Sequence, residues 1–202
     1  MTAQVTSDYL ISTLQSSRQR TLELLEGLTD EQLIGPKLLI VNPTIWEIGH
    51  VTWFYEFFIL RQENGHQPLL DRGDALYDSI AIAHDTRWDL PVYPLGEMKE
   101  YMATVLDTLI ARLDGGLASE RDSYLYQFTA FHEDMHDEAF TWARQTLAYP
   151  TPVFQPDGAA AAQRLAVTGA LDGDADIPGG TFRLGSRPDD GFVFDNEKWA
   201  HD

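Results

Sequence analysis

Four segments of the chain carry apolar residues at the three- and four-residue spacing of an amphipathic helix, and no alternating strand pattern lies between them. They run from about Ser7 to Gly27, from Asn42 to about Glu63, from Gly96 to Leu113 and from about Asp122 to Tyr149. Because such helices bury their apolar stripes against one another, the pattern predicts a mainly α fold, an antiparallel four-helix bundle over residues 1–150.

Local signals mark several helix boundaries. Asn42 can cap the second helix with Pro43 in its first turn, and Thr29 with Gln32 matches a capping box. The connection between the second and third helices, roughly residues 64–95, is long for a compact domain. Loops of that length often cover a site or serve a function.

The character of the chain changes after Tyr149. Residues 151–176 are rich in Pro, Gly, Ala and Asp and predict a linker. Residues 177–202 begin with IPGGTFRLGS, which predicts a tight turn followed by a short strand. That segment is too short for a core of its own, so we expect the chain to end inside a second, incomplete domain.

Charge and composition exclude several classes of protein. The net charge is −18, which argues against nucleic acid or an anionic membrane surface as a partner. The absence of cysteine excludes disulfides, Cys-ligated zinc and thiolate catalysis. No apolar run approaches the ~20 residues of a membrane-spanning helix, and the start does not resemble a secretory signal. These features predict a cytoplasmic protein.

Two histidines four residues apart, His132 and His136, lie on the predicted fourth helix. That spacing places both imidazoles on one face, where both can reach one metal ion. Without a metal, two neighbouring core imidazoles need four ring nitrogens satisfied. The pattern therefore favours metal ligands over hydrogen-bonded core histidines. The same face carries the predicted apolar stripe of this helix: Leu125, Phe128, Met135, Ala139 and Ala143.

His50 is the candidate for a third ligand. Its helical neighbours are the aromatic residues Trp46, Trp53, Phe54 and Phe57, so its side chain should face the bundle interior. A lone histidine there is usually structural. With an inward His pair on another helix, ligation becomes the better reading, because bundles build metal sites from facing helices. Three nitrogen ligands would leave open positions on the metal.

The segment HEDMH also matches the zinc-protease pattern H-E-x-x-H, and we regard that match as accidental. Ala139 and Trp142 stand where the extended protease motif has Gly and His. Glu133 lies 100° around the helix from His132, which predicts a surface position. Glu138, two residues after His136, is expected either to support the ligands from the second coordination sphere or to remain a solvated carboxylate.

Three motifs in order resemble the ergothioneine sulfoxide synthase family: IGHVTWFYEFFILR, FHEDMHDEAFTWARQTLAYP and IPGGTFRLGS with FDNEKWAH. The resemblance implies a DinB-like four-helix domain at 1–150, a linker at 151–176 and, at 177–202, the start of an α+β domain like the formylglycine-generating enzyme. It also implies a non-haem Fe(II) held by His50, His132 and His136.

The family's chemistry uses O₂ to join a thiol to the imidazole C2 of hercynine, a trimethylated histidine. The implied partners are hercynine, a thiol or selenosugar, and O₂. A catalytic Tyr is expected in the missing part of the second domain, so this chain could bind metal without turnover. The segment AHDTRWDLP is more similar to the selenoneine synthase branch. Arg87 within it is either a carboxylate clamp for a substrate or a solvent-facing loop residue. Trp53 is either a core residue, the commoner role for such an aromatic, or a contact for the trimethylammonium group.

Two other classes of function remain open from the residues. A DinB-like zinc or nickel protein that transfers a thiol, or a thiol-dependent isomerase, would need the same three histidines but no second domain. A non-catalytic bundle with structural histidines is the third reading.

Overall fold

The computed structural model describes residues 5–116, 119–155, 173–187 and 191–202. The described residues up to Val153 form one compact unit, and those from Phe154 onward belong to a second. Most of the predicted linker, residues 156–172, lies outside the described residues. The three-part domain division therefore stays a prediction.

The first unit is a helical bundle, which confirms the mainly α prediction. Its long helices pack with α1 against α5 and α6, and with α3 against the same two helices. The helices are α1 (Ser7–Leu25), α2 (Asp30–Ile34), α3 (Thr44–Tyr55), α4 (Gly73–Tyr77), α5 (Leu95–Asp114) and α6 (Glu120–Thr146).

Side chains at the helix starts explain where several helices begin. Thr29 and Gln32 form the predicted capping box of α2, and Ser119 accepts a hydrogen bond from Asp122 N at the start of α6. The predicted Asn42 cap of α3 is wrong, because α3 follows Pro43 and has no side-chain cap. The Asn42 side chain instead accepts a hydrogen bond from Arg87 Nη1 at 2.8 Å.

The second predicted helix has two parts. It is α-helical to Tyr55 and continues as a π-helix over Glu56–Glu63. Glu56 is buried within this π segment, where it accepts hydrogen bonds from the Tyr101 hydroxyl and from Leu69 N. Wide helical turns of this kind are frequent next to functional sites.

The connection between α3 and α5 is more ordered than a loop. It contains α4 and a 3₁₀ turn at His84–Asp89, and it packs against α3. Tyr77 at the end of α4 is fully buried. Large apolar side chains from this connection and the helices share one core, and each buried side chain contributes roughly 1.5–3 kcal/mol. Its largest members are Trp46, Tyr55, Tyr77 and Tyr126.

A buried ionic cluster joins α1 to α6. Arg18 Nε lies 2.8 Å from Glu133 Oε1, and Thr21 Oγ1 lies within hydrogen-bonding distance of Glu133 and Asp137. Glu133 is only 1% exposed, so the prediction of a surface position is wrong. A position 100° from the histidine face still faces a neighbour, because α6 packs on α1 as well as on α3. The prediction that Met135 belongs to the buried apolar stripe of this helix is also wrong, since 48% of the residue is exposed.

The described part of the second unit contains little regular structure. Leu184 and His201 form one antiparallel bridge with hydrogen bonds of 2.8 and 2.9 Å, and a 3₁₀ turn covers Asp195–Glu197. The strand predicted from IPGGTFRLGS is reduced to this bridge among the described residues. The likeness to the formylglycine-generating enzyme stays a prediction.

Among the described residues, no helix combines the length and the apolar character that crossing a bilayer requires.

Candidate metal centre

The three histidines predicted as ligands meet between α3 and α6. One ring nitrogen from each of His50, His132 and His136 lies within 4.8 Å of the other two. The ring centroids are 5.1 Å apart for His50 and His132, 5.2 Å for His50 and His136, and 4.6 Å for His132 and His136. Two consecutive turns of α6 thus present their imidazoles to one imidazole from the middle of α3.

The His50 ring is held in place by a hydrogen bond and by ring stacking. Its Nδ1 lies 2.8 Å from the carbonyl oxygen of Tyr77, and its ring stacks on Trp46 at 5.2 Å. A carbonyl can only accept, so Nδ1 carries the hydrogen and Nε2 keeps a lone pair. Burial, reinforced by the neighbouring His136, lowers the pKa of His50 to about 4. The ring is therefore a neutral nitrogen donor at neutral pH.

His136 is oriented by a carboxylate from the facing helix. Its Nδ1 lies 2.8 Å from Glu47 Oε1, and Glu47 is 4% exposed. A carboxylate that accepts a hydrogen bond from a ligand imidazole fixes the ring and strengthens its other nitrogen as a donor. Glu47 therefore occupies the supporting position that the sequence analysis offered to Glu138.

His132 has one ring nitrogen without a protein partner. Its ring stacks on Phe54 at 3.8 Å, and its Nδ1 is buried without a hydrogen bond from any described residue. Burial, with His136 and His50 close by, holds the pKa of His132 well below its ordinary value. An unsatisfied buried nitrogen costs about 1–3 kcal/mol, and a bound metal ion would supply a reason to retain this ring.

These residues fit a divalent transition metal. Three neutral imidazoles with a supporting carboxylate suit iron, zinc, copper or nickel, and three protein ligands leave positions for other molecules. The geometry does not fit a zinc protease, because Glu133 faces α1 and is paired with Arg18. To act as the general base of a hydrolase, Glu133 would have to reach a water molecule on the metal.

Of the two predicted substrate residues, Trp53 lies beside His50 and Arg87 lies against Trp46. The Trp53 ring is 6.3 Å from His50, and its Nε1 donates to Asp74 Oδ1 at 2.7 Å. The Arg87 guanidinium lies 4.0 Å from the Trp46 ring centre and donates to Asn42 and to the carbonyl of Ile82. Burial lowers the pKa of Arg87. Their roles in substrate binding stay predictions.

Glu138 is exposed on α6, and its supporting role also remains a prediction. The catalytic Tyr that the resemblance implies for a second domain stays a prediction. Glu47 and the Tyr77 carbonyl were not among the groups predicted for the site. Helical spacing could have identified Glu47, which precedes His50 by three residues and so shares its side of α3. A backbone carbonyl from a separate short helix leaves no such signal.

Three curated relatives from mycobacteria are each named hercynine oxygenase. The protein from Mycolicibacterium smegmatis is 28% identical over 200 residues, covering 98% of this chain and 45% of the relative. The Mycobacterium tuberculosis protein is 29% identical over 132 residues, or 64% of this chain and 31% of the relative. The Mycolicibacterium thermoresistibile protein is 28% identical over 191 residues, or 93% and 42%. The chain thus spans less than half the length of the curated relatives it matches.

The family model described as the DinB superfamily matches residues 13–140. This range begins within α1 and ends within α6, so it includes all three histidines and the helices that hold them. The match covers more than half of the sequence, and the chain belongs to the DinB superfamily.

Proposed function

We propose that the helical unit is the metal-binding part of an oxidoreductase that acts on hercynine. The observation that carries this proposal is the convergence of His50, His132 and His136 in a chain whose relatives are named hercynine oxygenase. A site with open metal positions beside buried aromatic residues suits a small substrate that carries an imidazole.

The proposed metal is Fe(II). Imidazole ligands alone accept several divalent metals, but an oxidative reaction requires a metal that changes oxidation state. Iron bound at this site would supply the redox chemistry for the use of O₂. Two groups of the chain orient the ligands for metal binding. The Tyr77 carbonyl accepts from Nδ1 of His50, so that Nε2 keeps its lone pair for the metal, and Glu47 does the same for His136.

The proposed reaction joins the imidazole C2 of hercynine to the sulfur of a thiol. The C2–H and S–H bonds break, a C–S bond forms, and one atom of O₂ ends on sulfur. The other oxygen atom leaves as water with the two hydrogens. O₂ thereby takes four electrons, two from C–S bond formation and two from oxidation of the sulfur to a sulfoxide.

Half-buried aromatic rings beside His132 form a wall suited to hercynine. Phe54 stacks on His132 and contacts Phe58 and Phe128 at centroid distances of 4.5 and 5.2 Å. Such a wall would exclude water from the metal, and aromatic faces attract a trimethylammonium group. Arg87 is the proposed clamp for a substrate carboxylate, a role that would use the guanidinium close to Trp46.

A selenosugar is the second candidate for the chalcogen donor. The feature that favours it is the segment AHDTRWDLP, residues 83–91, which includes the 3₁₀ turn and Arg87. With a selenol, the same balance of C2–H, Se–H and O₂ would join selenium to hercynine.

Nitric oxide binding to the anaerobic Fe(II)-loaded chain tests the proposal. We expect a high-spin iron–nitrosyl EPR signal that changes shape on addition of hercynine, at lower concentration than with histidine, which lacks the trimethylammonium group. A signal unchanged by saturating hercynine would contradict the proposed substrate. Uptake of zinc without any iron–nitrosyl signal would favour the thiol-transfer class instead.

A further inference from the structure

One face of α3 donates three ring N–H groups to the short helix α4. The donors are spaced four and three residues apart, so they follow one side of α3. The acceptors are two carbonyls at the end of α4 and one carboxylate near its start. The bonds are Trp46 Nε1 to Leu76 O at 2.6 Å, His50 Nδ1 to Tyr77 O at 2.8 Å and Trp53 Nε1 to Asp74 Oδ1 at 2.7 Å.

Two glycines allow the close approach of α3 and α4. A Cβ placed on Gly49 would lie 2.7 Å from Tyr77 Cδ1 and nearer still to two other atoms of that ring. A Cβ on Gly73 would lie 3.2 Å from Trp53 Cδ1. The Tyr77 ring is fully buried, so it has little room to move away from a larger side chain at position 49.

Tertiary contacts hold α4 in this position. The helix has five residues, far fewer than an isolated helix needs for stability in water. Arg61, from the π segment, donates from both terminal nitrogens to the two carboxylate oxygens of Asp74. The Tyr77 hydroxyl accepts a hydrogen bond from Tyr93 N at 3.4 Å.

We infer that α4 is a positioning element for the histidine centre. Its Tyr77 carbonyl fixes the His50 ring with the hydrogen on Nδ1, which presents Nε2 as a ligand, and the Gly49–Tyr77 contact sets where that carbonyl lies. The consequence for metal binding rests on the proposed function, whereas the state of the His50 ring is a property of the metal-free chain.

Gly49→Ala tests this inference, with Gly96→Ala as the matched control. Gly96 lies in α5, and a Cβ there would meet no atom within 4 Å. Long-range ¹⁵N–¹H NMR of the metal-free protein reports which ring nitrogen carries the hydrogen. We expect His50 to be protonated on Nδ1 in the wild type and in Gly96→Ala, and to lose this preference in Gly49→Ala.

Zinc affinity, measured by competition with a chelator, supplies the second readout. Loss of a ligand's hydrogen-bond partner costs about 10- to 100-fold in metal affinity. We expect a loss in that range for Gly49→Ala and no loss for the control Gly96→Ala. Asp74→Ala, in which a half-exposed side chain is removed, should give a smaller loss in the same direction. If circular dichroism shows that Gly49→Ala is unfolded, the ring state and zinc affinity of Asp74→Ala provide the test.

A wild-type His50 protonated on Nε2 would overturn the inference. So would folded Gly49→Ala and Asp74→Ala variants with wild-type ring state and zinc affinity. A wild-type protein that takes up no metal would instead overturn the proposed function, while the NMR readout would still decide whether α4 sets the state of His50.

Discussion

Helix α6 carries two pairs of titratable side chains, each spaced four residues apart, on two different sides. His132 and His136 face α3, where they meet His50. Glu133 and Asp137 face α1, where they meet Arg18 and Thr21. The two pairs alternate in the sequence, and helix geometry alone does not distinguish a structural pair from a functional one.

The difference lies in what partners each pair has. Glu133 is neutralised by Arg18, and Asp137 Oδ2 lies 3.6 Å from Arg20 Nε. Of the two histidines on α6, His136 pairs through Nδ1 with the carboxylate of Glu47, whereas His132 Nδ1 has no hydrogen-bond partner among the described residues. A buried charge with its counter-charge, here Glu133 with Arg18, holds two helices together, whereas convergent lone pairs without donors form a site for a cation.

The largest expected effect comes from removing the cation on the carboxylate side. Arg18→Met would leave Glu133 buried without its counter-charge, which typically costs about 3–5 kcal/mol of unfolding free energy. Chemical denaturation measures this quantity. Arg20→Met is the control, since Arg20 is 39% exposed and its loss should cost about 1 kcal/mol or less. Equal losses for both variants would contradict a structural role specific to the buried pair.

The histidine side should respond in the opposite way. His132→Leu removes a ligand, so we expect metal affinity to fall by more than about 100-fold, beyond the loss from a ligand's partner. The unfolding free energy of the metal-free protein should change by less than about 1 kcal/mol, because the ring has an unsatisfied Nδ1. His66→Leu, at an exposed position, is the matched control. A large loss of metal-free stability with retained metal affinity would make His132 structural.

Glu47 and Glu138 can be compared as supports for the ligands. Glu47→Gln keeps an oxygen that can accept from His136 but removes the charge, and we expect metal affinity to fall about tenfold. Glu138→Gln, on the exposed side of α6, should leave the affinity unchanged. A larger effect at Glu138 than at Glu47 would restore the role predicted from the sequence.

The smallest effect is a dependence of metal-free stability on pH. Burial raises the pKa of Asp137 from 3.8 to about 8, so the folded state holds a proton that the unfolded state has lost. This contribution to stability is complete below pH 3.8 and disappears as the pH rises to about 8. His50, with its pKa lowered from 6.5 to about 4, acts in the opposite direction below pH 6.5.

Asp137→Asn isolates the carboxyl contribution above pH 6.5. The wild type should lose about 1 kcal/mol of unfolding free energy between pH 6.5 and 8, and the variant should lose much less. Urea denaturation at the two pH values measures the difference. Parallel pH profiles for the two proteins would show that Asp137 is ionised throughout.

Helical periodicity predicted the long helices and the face that carries His132 and His136, because a regular 3.6-residue repeat places side chains reliably around one axis. The periodicity gave the wrong exposure for Glu133 and Met135. The angle of a residue around its own helix does not show which neighbouring helix, if any, covers that side chain. A buried carboxylate depends on a cation from a distant segment, here Arg18, more than a hundred residues earlier.

The hydrogen bond from His50 to the Tyr77 carbonyl could not be predicted from the sequence, for a similar reason. Helix α4 is held by tertiary contacts with α3, Arg61 and Tyr93, and its five residues carry no periodic signal. The π-helical turn after Tyr55 is also undetected by a pattern that fits an α-helix equally well. Local propensity therefore predicted the scaffold, while the contacts that complete the centre arise from tertiary packing.

If His50, His132 and His136 hold one metal ion with open positions, the Fe(II)-loaded chain should bind nitric oxide. Anaerobic Fe(II) loading, followed by nitric oxide and EPR, would be carried out on the wild type, His50→Ala and the exposed control His66→Ala. We expect one high-spin iron–nitrosyl centre per chain, retained in His66→Ala and abolished in His50→Ala. A wild type without the signal, or a His50→Ala variant that keeps it, would contradict the three-histidine centre.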